Sequence, residues 1–383
     1  MVEKEKNVLI VNEGGISNSG AEIRIRILLQ YLIEQKYKGT ICILSHTSAT
    51  IPHKMKKYFI RRGVSFYSTT HESYNKTKEI IQKKGIDIVQ CHNLGIFNAD
   101  PIRAAKDEQK KVIWFAHDYW VFCGNRNLYA YDESVCTSTG PKCIRCIGLR
   151  AILHLRKIQD LINKVDIAIA PSKIVKQMYE NHSIAIGKWK IIHPWISSKF
   201  KSRSVTKREG VLFVGPLSKA KGIFLALEAF NIVAKHNVRL KLRIVGSGQE
   251  KESIDRQEVE SYIRKNYLQD QVEYGGYKSV LELRDEFNRA EVYMCTPLWP
   301  ELFGQTWAQA VACQCNVVAT NVGSIPELSK RKIFLANPSP DSVSKALRTA
   351  LSMRQLSQKL SRELTREMNI KYAAKQILEL YKE

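Results

Sequence analysis

A carboxylate, a glycine and a predicted helix start lie close together between residues 299 and 309, directly after an apolar strand that ends at Cys295. Gly304 allows backbone N–H groups to approach a ligand closely, and the start of the following helix presents unpaired N–H groups that suit a diphosphate. Glu301 can accept hydrogen bonds from sugar hydroxyls, and Gln309, two turns further along, can reach a ribose. This pattern predicts a binding site for a sugar linked to a nucleoside diphosphate.

Four cysteines in the N-terminal half are spaced C-x12-C-x6-C-x2-C, at Cys123, Cys136, Cys143 and Cys146. Four thiolates complete a tetrahedral zinc site, and a pair separated by two residues is typical of a zinc knuckle. The surrounding insertion, residues 121–148, is rich in small polar residues and has little core, so a structural zinc could hold it together. Reduced or disulfide-linked cysteines and an iron–sulfur cluster are the alternatives left open.

Short apolar strands alternate with amphipathic helices along the whole chain, which predicts an α/β fold. Continuous apolar runs such as Val8–Val11 and Ile167–Ala170 are typical of parallel sheets whose two faces are covered by helices. The alternation starts again at Gly210–Val214, after a polar linker at 196–209. We therefore expect two Rossmann-like, doubly wound parallel-sheet domains that face a cleft, where the loops after the strands collect ligands.

The 383-residue chain has a formal net charge of +23, which predicts an anionic partner such as nucleic acid, a membrane surface or a phosphorylated substrate. The alternative left open is that the basic residues only keep the protein soluble. The chain start lacks a signal pattern, and no apolar run reaches the roughly 18 residues of a spanning helix. We expect a cytoplasmic protein, peripheral on the inner face of the membrane if it binds lipid. The basic and apolar segment His53–Arg62 is either a lipid-facing helix or a solvated one.

The segment from Glu301 to Leu328 resembles family 4 of the retaining glycosyltransferases, which have the GT-B fold. That family has a Glu, seven residues and a second Glu, with Phe-Gly after the first. Here Glu301 and the Phe-Gly pair match, and Gln309 replaces the second Glu. The resemblance implies that this segment binds the donor through Glu301, Phe303, Gly304, Gln305, Thr306 and Gln309. Glu301 would hold the sugar as a catalytic residue, and Gln309 would hold the ribose.

Other loops resemble further donor-binding positions of the family. Lys221-Gly222 matches a Lys-Gly whose lysine binds the donor diphosphate. Pro216 replaces the arginine that usually shares this task, and Lys219 is the nearest substitute. The resemblance also implies donor contacts from a Gly-x-Gly turn and from a loop below the nucleobase, at Gly246, Gly248 and Tyr277.

The N-terminal half resembles the family at two positions. Gly14-Gly15 is similar to the glycine-rich first loop, which brings backbone close to the donor phosphates. His117 follows an apolar strand and matches a histidine that contacts the donor sugar near the reacting carbon. We expect it to be catalytic, by orienting a hydroxyl or sharing a proton near neutral pH. Asp118 is expected on the acceptor side.

The resemblance also implies a division of labour along the chain. Residues 1–196 would form the acceptor domain with the cysteine-rich insertion, and 205–365 the nucleotide-sugar domain. The helix at 366–383 would cross back to the N-terminal domain. The expected partners are a UDP- or GDP-linked sugar and a glycan or lipid-linked acceptor, with an anionic membrane surface possible in addition and no nucleic acid expected.

The implied activity is that of a retaining hexosyltransferase-like enzyme, as used in polysaccharide biosynthesis. No Asp-x-Asp motif stands at a strand end, so no catalytic metal is expected, and zinc would be purely structural. A catalytically weak or inactive nucleotide-sugar-binding relative is the main alternative, because Pro216 and Gln309 both depart from the family pattern. A sugar-nucleotide epimerase and a nucleic-acid-binding protein account for fewer of the motifs.

Overall fold

The computed structural model describes residues 5–16, 20–49, 51–136, 141–203, 207–246 and 256–383. The chain divides into two compact units, an N-terminal unit of 1–195 with 370–383 and a C-terminal unit of 196–369. Each unit contains one sheet in which every strand pair is parallel, and helices connect most of the strands. The predicted class of two doubly wound α/β folds is therefore confirmed.

The strands are short and mostly buried. In the N-terminal unit they are β1 (Val8–Val11), β2 (Ile41–His46), β3 (Val64–Thr69), β4 (Ile88–Cys91), β5 (Lys111–Phe115), β6 (Ile167–Ala170) and β7 (Trp189–Ile191). In the C-terminal unit they are β8 (Val211–Val214), β9 (Leu242–Val245), β10 (Val272–Gly276), β11 (Val292–Cys295), β12 (Asn316–Thr320) and β13 (Phe334–Ala336).

The helices alternate with these strands, as the amphipathic segments predict. The first seven are α1 (Gly20–Glu34), α2 (His53–Ile60), α3 (Ser73–Lys84), α4 (Asp100–Asp107), α5 (Pro141–Ile147), α6 (Leu149–Ile162) and α7 (Lys173–Asn181). The next five are α8 (Ile223–Ala234), α9 (Arg256–Lys265), α10 (Val280–Arg289), α11 (Gln305–Ala312) and α12 (Ile325–Leu328). The last three are α13 (Pro340–Ser352), α14 (Gln358–Thr365) and α15 (Ile370–Lys382), with a 3₁₀ turn at Arg366–Met368.

Strand order places a switch point at the centre of each sheet. In the N-terminal unit the order is β3-β2-β1-β4-β5-β6-β7, so successive strands are added on one side of β1 as far as β3 and on its other side from β4 onward. In the C-terminal unit the order is β10-β9-β8-β11-β12-β13, and the same change of side falls between β8 and β11. Because the carboxyl ends of the strands diverge there into separate loops, these are the two places where an open α/β sheet binds ligands.

The core of the N-terminal unit includes the end of the chain. Ile377 and Leu380 of α15 are buried with residues of α1, β1 and β2 in one apolar cluster. In the C-terminal unit, Ile196 and Phe200 are buried against α14 residues and Phe287. The prediction that all of 196–209 is a polar linker is therefore wrong at its start, because two apolar side chains spaced among polar ones carry this segment into the core.

No helix among the described residues combines the length and the apolar character needed to cross a membrane.

Candidate functional site

Lys221 and Glu301 form the centre of the C-terminal unit's candidate site. They follow β8 and β11, the two strands at the switch point, and are 80 residues apart in sequence. The Lys221 ammonium donates a hydrogen bond of 2.6 Å to Glu301 Oε2 and lies 4.8 Å from the centre of the Trp299 ring. The Glu301 side chain is 11% exposed, so this charge pair is largely desolvated on its acidic side. The fold thus joins the predicted phosphate ligand to the predicted sugar ligand.

Gly222 holds the Lys221 loop against the end of β11. Its φ is +71°, in the left-handed region that favours glycine, and it immediately precedes α8. A Cβ at this position would lie 1.8 Å from the Thr296 carbonyl oxygen. The Thr296 hydroxyl donates in turn to the Gly222 carbonyl at 2.9 Å. The glycine of the Lys-Gly motif therefore permits a backbone-to-backbone approach that sets the position of Lys221.

A second glycine fixes Glu301 from the other side. Gly323 has φ +55°, and a Cβ there would lie 2.2 Å from the Glu301 carbonyl oxygen and 2.5 Å from its nitrogen. The next residue, Ser324, donates from its backbone to the Glu301 carbonyl at 2.9 Å and from its hydroxyl to the Leu302 carbonyl. The loop after β12 therefore clamps the backbone of Glu301, which leaves its carboxylate to face Lys221.

The start of α11 is the predicted diphosphate contact. Gly304, with φ +69°, precedes the helix, and no side chain caps its first turn. The leading N–H groups of a helix have no acceptor within the helix, so those of Gln305 and Thr306 are suited to an anion. The Thr306 hydroxyl accepts a 2.7 Å hydrogen bond from the Tyr293 hydroxyl, which ties the turn to β11.

Phe303 lies with its side chain in the core beside the Gly304 turn. Its side chain is 4% exposed and belongs to the apolar core of the C-terminal unit, where it packs near Trp307. Its carbonyl accepts a 2.6 Å hydrogen bond from the indole nitrogen of Trp307. The Phe303 ring therefore faces the core and holds the Gly304 turn, and the donor contact predicted for this residue stays a prediction that its backbone would have to supply.

Gln309 is buried in α11 with 7% of its surface exposed. Its amide oxygen is buried and has no hydrogen-bond partner within the described residues. An unsatisfied buried amide oxygen costs about 1–3 kcal/mol, and a native protein usually retains such a group for a reason. A ligand hydroxyl is one donor that would satisfy this oxygen.

The remaining predicted donor residues are less concentrated. Lys219 is exposed, and its carbonyl accepts from the Gly222 N–H at 2.8 Å. Tyr277 is 74% exposed, so nothing in the described chain holds its ring over a nucleobase position. Gly246 follows β9, and a Cβ there would lie 1.9 Å from the Gly215 carbonyl oxygen, which explains the first glycine of the turn by close packing. Gly248 lies outside the described residues.

Gly14 and Gly15 follow β1 at the switch point of the N-terminal unit. Gly15 has φ +66°, and its N–H donates to the Asn12 carbonyl at 2.9 Å to close a tight turn. A Cβ at Gly14 would lie 1.7 Å from a carboxylate oxygen of Glu22. Glu22 is in the first turn of α1, so glycine at position 14 is required for the carboxylate to pack on the loop.

Asp118 belongs to a charged cluster beside this loop. Arg126 donates a 2.7 Å hydrogen bond to Glu13 and lies 3.9 Å from the Asp118 carboxylate. Asp118 also accepts from the backbone N–H of Trp120 at 2.9 Å. Burial raises the pKa of Asp118 to about 6, against the lowering effects of Arg126 and of the backbone hydrogen bond. The carboxyl group can therefore change its charge within a mildly acidic range.

His117 is held at both ring nitrogens. The Arg24 guanidinium lies 2.9 Å from Nδ1, and Nδ1 of His92 lies 2.6 Å from Nε2. The two imidazoles stack with their centres 4.9 Å apart. Burial, the charge of Arg24 and His92 together lower the pKa of His117 well below its ordinary value, and burial with Arg24 lowers the pKa of His92 to about 3. The lowered pKa keeps the His117 ring neutral near pH 7, and both predicted roles, orienting a hydroxyl and sharing a proton, stay predictions.

The hydrogen bonds that run from Arg24 through His117 to His92 can be assigned one consistent direction. Arg24 can only donate, so His117 Nδ1 accepts and its proton resides on Nε2, which donates to His92. His92 then carries its proton on Nε2, 2.8 Å from the amide of Gln90. In the structure the Gln90 amide nitrogen faces His92, and its oxygen accepts from the Tyr381 hydroxyl. The direction set by Arg24 requires this amide to be reversed, so that its oxygen accepts from His92 and its nitrogen donates to the Tyr381 hydroxyl. A buried relay therefore links α15 to the predicted catalytic histidine.

The four cysteines of the insertion line one small cavity together with His182. All four are free thiols and partly buried, and burial raises the pKa of the Cys123 and Cys136 thiols. However, within the ranges that the structure describes, no group of three or more His, Cys, Asp or Glu side chains is arranged to hold a metal ion. The shared cavity brings the four cysteines together without placing them as metal ligands, and zinc stays a prediction.

The sequence interpretation missed several residues that the fold brings to these sites. Glu13, Arg24, His92 and Arg126 all contact predicted site residues or their neighbours. His92 directly follows β4, and Glu13 is the second residue after β1. Because ligands bind where the strand order reverses, both residues could have been found once the strand order was known. Arg24 and Arg126 stand in a helix and an irregular loop, and no local signal separates them from the chain's other basic residues.

Comparison with known proteins decides the family. Residues 18–200 match the model described as Glycosyltransferase Family 4, and residues 196–367 match the model for glycosyl transferases group 1. The chain belongs to the family 4 glycosyltransferases. The glycosyltransferase is 23% identical over 357 residues to the phosphatidylinositol N-acetylglucosaminyltransferase gpi3 subunit of Schizosaccharomyces pombe, covering 87% of this chain and 70% of that one. It spans 66% of the corresponding Saccharomyces cerevisiae subunit, at 22% identity over 81% of this chain.

Solved structures show the same GT-B fold. Anabaena HepE in complex with UDP superimposes with a TM-score of 0.75 at 15% identity, over 98% of this chain and 99% of that one. The same protein has been solved with UDP-glucose. A glycosyltransferase from Rickettsia africae gives the same score at 16% identity, over 99% and 98% of the two chains. At these identities the likeness establishes the fold of the glycosyltransferase and leaves its substrates to separate argument.

Proposed function

We propose that this glycosyltransferase moves a sugar from a UDP- or GDP-linked donor to a hydroxyl group of a lipid-linked acceptor, with retention of the anomeric configuration and without a catalytic metal. The observation that carries the proposal is the 2.6 Å contact between Lys221 and Glu301 at the β8–β11 switch point, next to the start of α11. A cation, a helix N-terminus and a carboxylate together match the phosphates and the hydroxyls of a nucleotide sugar.

In the proposed reaction, charge develops on the diphosphate as the bond to the sugar breaks. Lys221 and the first N–H groups of α11 stabilise that charge as preorganised donors. The Glu301 carboxylate accepts a hydrogen bond from a sugar hydroxyl, either after it separates from Lys221 or while Lys221 still donates to it. The acceptor hydroxyl attacks from the face that the leaving group departs from, and a phosphate oxygen takes its proton. No protein nucleophile is required.

Two names support the choice of substrates. A relative acts, by its name, as a phosphatidylinositol N-acetylglucosaminyltransferase subunit, and HepE has been solved with UDP and UDP-glucose. We therefore propose an acceptor attached to a lipid, a donor with a uracil or guanine base, and an enzyme that is peripheral to the membrane. The sugar itself is not specified by any residue described above.

A thermal-shift screen against nucleotide sugars tests the donor proposal, because a ligand that binds the native state raises its melting temperature. We expect UDP or GDP to give part of the shift and one matching nucleotide sugar to give more. Lys221→Met should abolish both shifts, whereas Lys219→Met, at an exposed neighbouring lysine, should weaken them only slightly. The proposal fails if no nucleotide sugar stabilises the protein, or if Lys221→Met responds as the wild type does.

A nucleotide-sugar-binding relative with weak activity is the second candidate, and Gln309 and Pro216 favour it. Gln309→Glu distinguishes the two candidates in an assay of sugar transfer with a lipid extract as acceptor. Raised activity in Gln309→Glu would indicate a weakened site, whereas equal or lower activity would indicate that the amide is adapted to its donor.

Structural zinc on the four cysteines is a separate proposal, and the reaction above does not use it. Metal analysis of the purified protein should give one zinc per chain if the proposal holds. The double variant Cys143→Ser and Cys146→Ser should then lose the zinc and melt at a lower temperature. A metal-free wild-type protein that melts at the same temperature in the presence of chelator would refute zinc binding.

A further inference from the structure

Exposed apolar side chains are concentrated in and after the cysteine-rich insertion. Of the fourteen large apolar side chains that are exposed in the described part of the chain, five fall within residues 131–153. They are Tyr131, Val135, Ile144, Leu149 and Leu153, with exposed fractions between 45% and 59%. Single exposed apolar residues are normal, but a group in one short segment usually marks an interaction surface.

Helix α6 shows the imbalance most directly. Its last turns pack on the protein through Ile158 and Ile162, which are its buried residues. Its first two turns, Leu149–Arg156, contain no buried residue. Leu149 and Leu153 are four positions apart and therefore lie on one side of the helix. In this half of α6, Ile152 and Leu155 are only half-buried, and Leu149 and Leu153 stay exposed.

The same segment is strongly basic. Residues 141–157 contain five Lys or Arg residues and no Asp or Glu, and all five basic side chains are exposed: Lys142, Arg145, Arg150, Arg156 and Lys157. Lys142 pairs with Asp132, and Arg145 donates to the Tyr131 hydroxyl at 3.0 Å. The other three form no ion pair among the described residues. We call this surface the α5–α6 face, defined by Ile144, Leu149, Leu153 and the five basic residues.

We propose that the α5–α6 face binds the surface of an anionic lipid membrane. Leucine and isoleucine would enter the boundary between headgroups and acyl chains, and the basic residues beside them would pair with phosphate headgroups, as in helices that lie in the membrane plane. A nucleic acid would pair with the charges but would leave the leucines in water. Only the role of this binding, which is to bring the enzyme to a lipid-linked acceptor, rests on the proposed function.

Helix α2, the segment that the sequence suggested for lipid contact, is the less suitable surface. It is basic, but Phe59 is buried and Met55 packs against the core of the N-terminal unit. The guanidinium of Arg62 lies 3.8 Å from the centre of the Tyr58 ring, which leaves Ile60, at 51% exposed, as the most exposed large apolar side chain of α2. Its charge can add to membrane attraction, but it presents little apolar area to insert.

Co-sedimentation with vesicles tests the proposal on the full chain. Vesicles of phosphatidylcholine alone are compared with vesicles that contain about one-third phosphatidylglycerol. We expect binding to the anionic vesicles only, and weaker binding at high salt because exposed charges are screened. Leu149→Ser with Leu153→Ser should lower partitioning at least tenfold. A separate variant that combines Arg150→Gln, Arg156→Gln and Lys157→Gln should also partition into the vesicles much less, since each basic residue near the surface accounts for about fivefold.

Matched control variants distinguish vesicle binding by the α5–α6 face from nonspecific adsorption through other exposed apolar residues. Val238 and Tyr267 are 78% and 87% exposed in the C-terminal unit, so Val238→Ser with Tyr267→Ser removes as many exposed apolar side chains elsewhere. We expect this variant to bind within about twofold of the wild type. Ile60→Ser tests α2 in the same assay and should have a similarly small effect. The substituted residues are exposed, so melting temperatures should be unchanged, and the basic triple variant gives an independent reading if the serine variant misfolds.

Four results would overturn the proposal: no vesicle binding by the wild type, equal binding to both vesicle types, wild-type binding by the Leu149 and Leu153 variant, or a concentration-dependent dimer that this variant abolishes. The last would assign the face to a second copy of the chain. The assay contains neither donor nor acceptor, so its failure would leave the proposed transfer reaction untouched, and failed transfer with intact vesicle binding would leave this proposal standing.

Discussion

Gly222→Ala should destabilise the C-terminal unit far more than the loss of a glycine normally does. Two costs can be estimated from the structure. A residue with a side chain at φ +71° costs about 1–2 kcal/mol. The new Cβ would also lie 1.8 Å from the Thr296 carbonyl oxygen, and relieving such an overlap between backbone segments costs about 1–3 kcal/mol. If the loop moves away, the hydrogen bond from Thr296 is lost as well, at about 1 kcal/mol.

The expected loss for Gly222→Ala is therefore about 2–5 kcal/mol, or about 3–6 kcal/mol if the hydrogen bond is lost as well. Gly276→Ala is the matched control, because its φ is +63° but nothing lies within 4 Å of the new Cβ. The control isolates the backbone cost, about 1–2 kcal/mol, from the steric cost. Hydrogen exchange of the slowest amides in β8 and β11 measures the stability of the C-terminal unit separately from that of the N-terminal unit.

The two variants should differ by about 1–4 kcal/mol, and Gly222→Ala should also lose nucleotide binding because Lys221 moves with the loop. If both variants lose the same stability, the close approach of Gly222 to Thr296 does not hold the loop, and the reason given for the Lys-Gly motif is wrong. A variant that is destabilised but binds nucleotide with unchanged affinity would separate the fold from the site and would refute the positioning of Lys221 by Gly222.

Three further expectations follow from buried polar groups. Gln309→Leu should raise the free energy of unfolding by about 1 kcal/mol, since it removes an unsatisfied amide oxygen, and should weaken nucleotide-sugar binding about tenfold; calorimetric titration that shows unchanged affinity would exclude a ribose contact. The folded-state pKa of Asp118 is raised to about 6 from 3.8, so the native state binds the proton more tightly than the unfolded state. Stability should therefore fall by about 2 kcal/mol as pH rises from 4 to 7, and Asp118→Asn, measured by urea unfolding, should remove that fall. In Arg24→Met, the NMR titration midpoint of His117 should rise because a neighbouring positive charge is gone; a midpoint that does not move would contradict the described contact.

Much of the fold was predictable because its signals are local. Buried strands such as Val8–Val11 are unbroken apolar runs, and the helices between them have a clear period, so the two parallel sheets could be inferred before their order was known. The short edge strands β7 and β13 gave no comparable signal, because each has only three residues and a partly exposed pattern.

The candidate sites were predictable to different degrees. Lys221 and Glu301 belong to motifs that resemble a known family, and their 2.6 Å contact follows from the strand order. The relay through His92 could not be predicted, because it depends on side-chain directions in two neighbouring strands and on a tyrosine near the end of the chain. The inward direction of the Phe303 ring could not be predicted, because a motif shows that a residue is required and does not show whether its side chain points to a ligand or to the core.

The position of α15 has a consequence for the order in which the protein can fold during synthesis. The core of the N-terminal unit needs Ile377 and Leu380, and its buried relay needs Tyr381. These residues are translated after the whole of the C-terminal unit, although domains usually complete their folding in the order in which they emerge from the ribosome. The C-terminal unit is therefore the first that can finish its core, and the earlier half of the chain must wait, with part of its apolar surface uncovered, until the last helix is released.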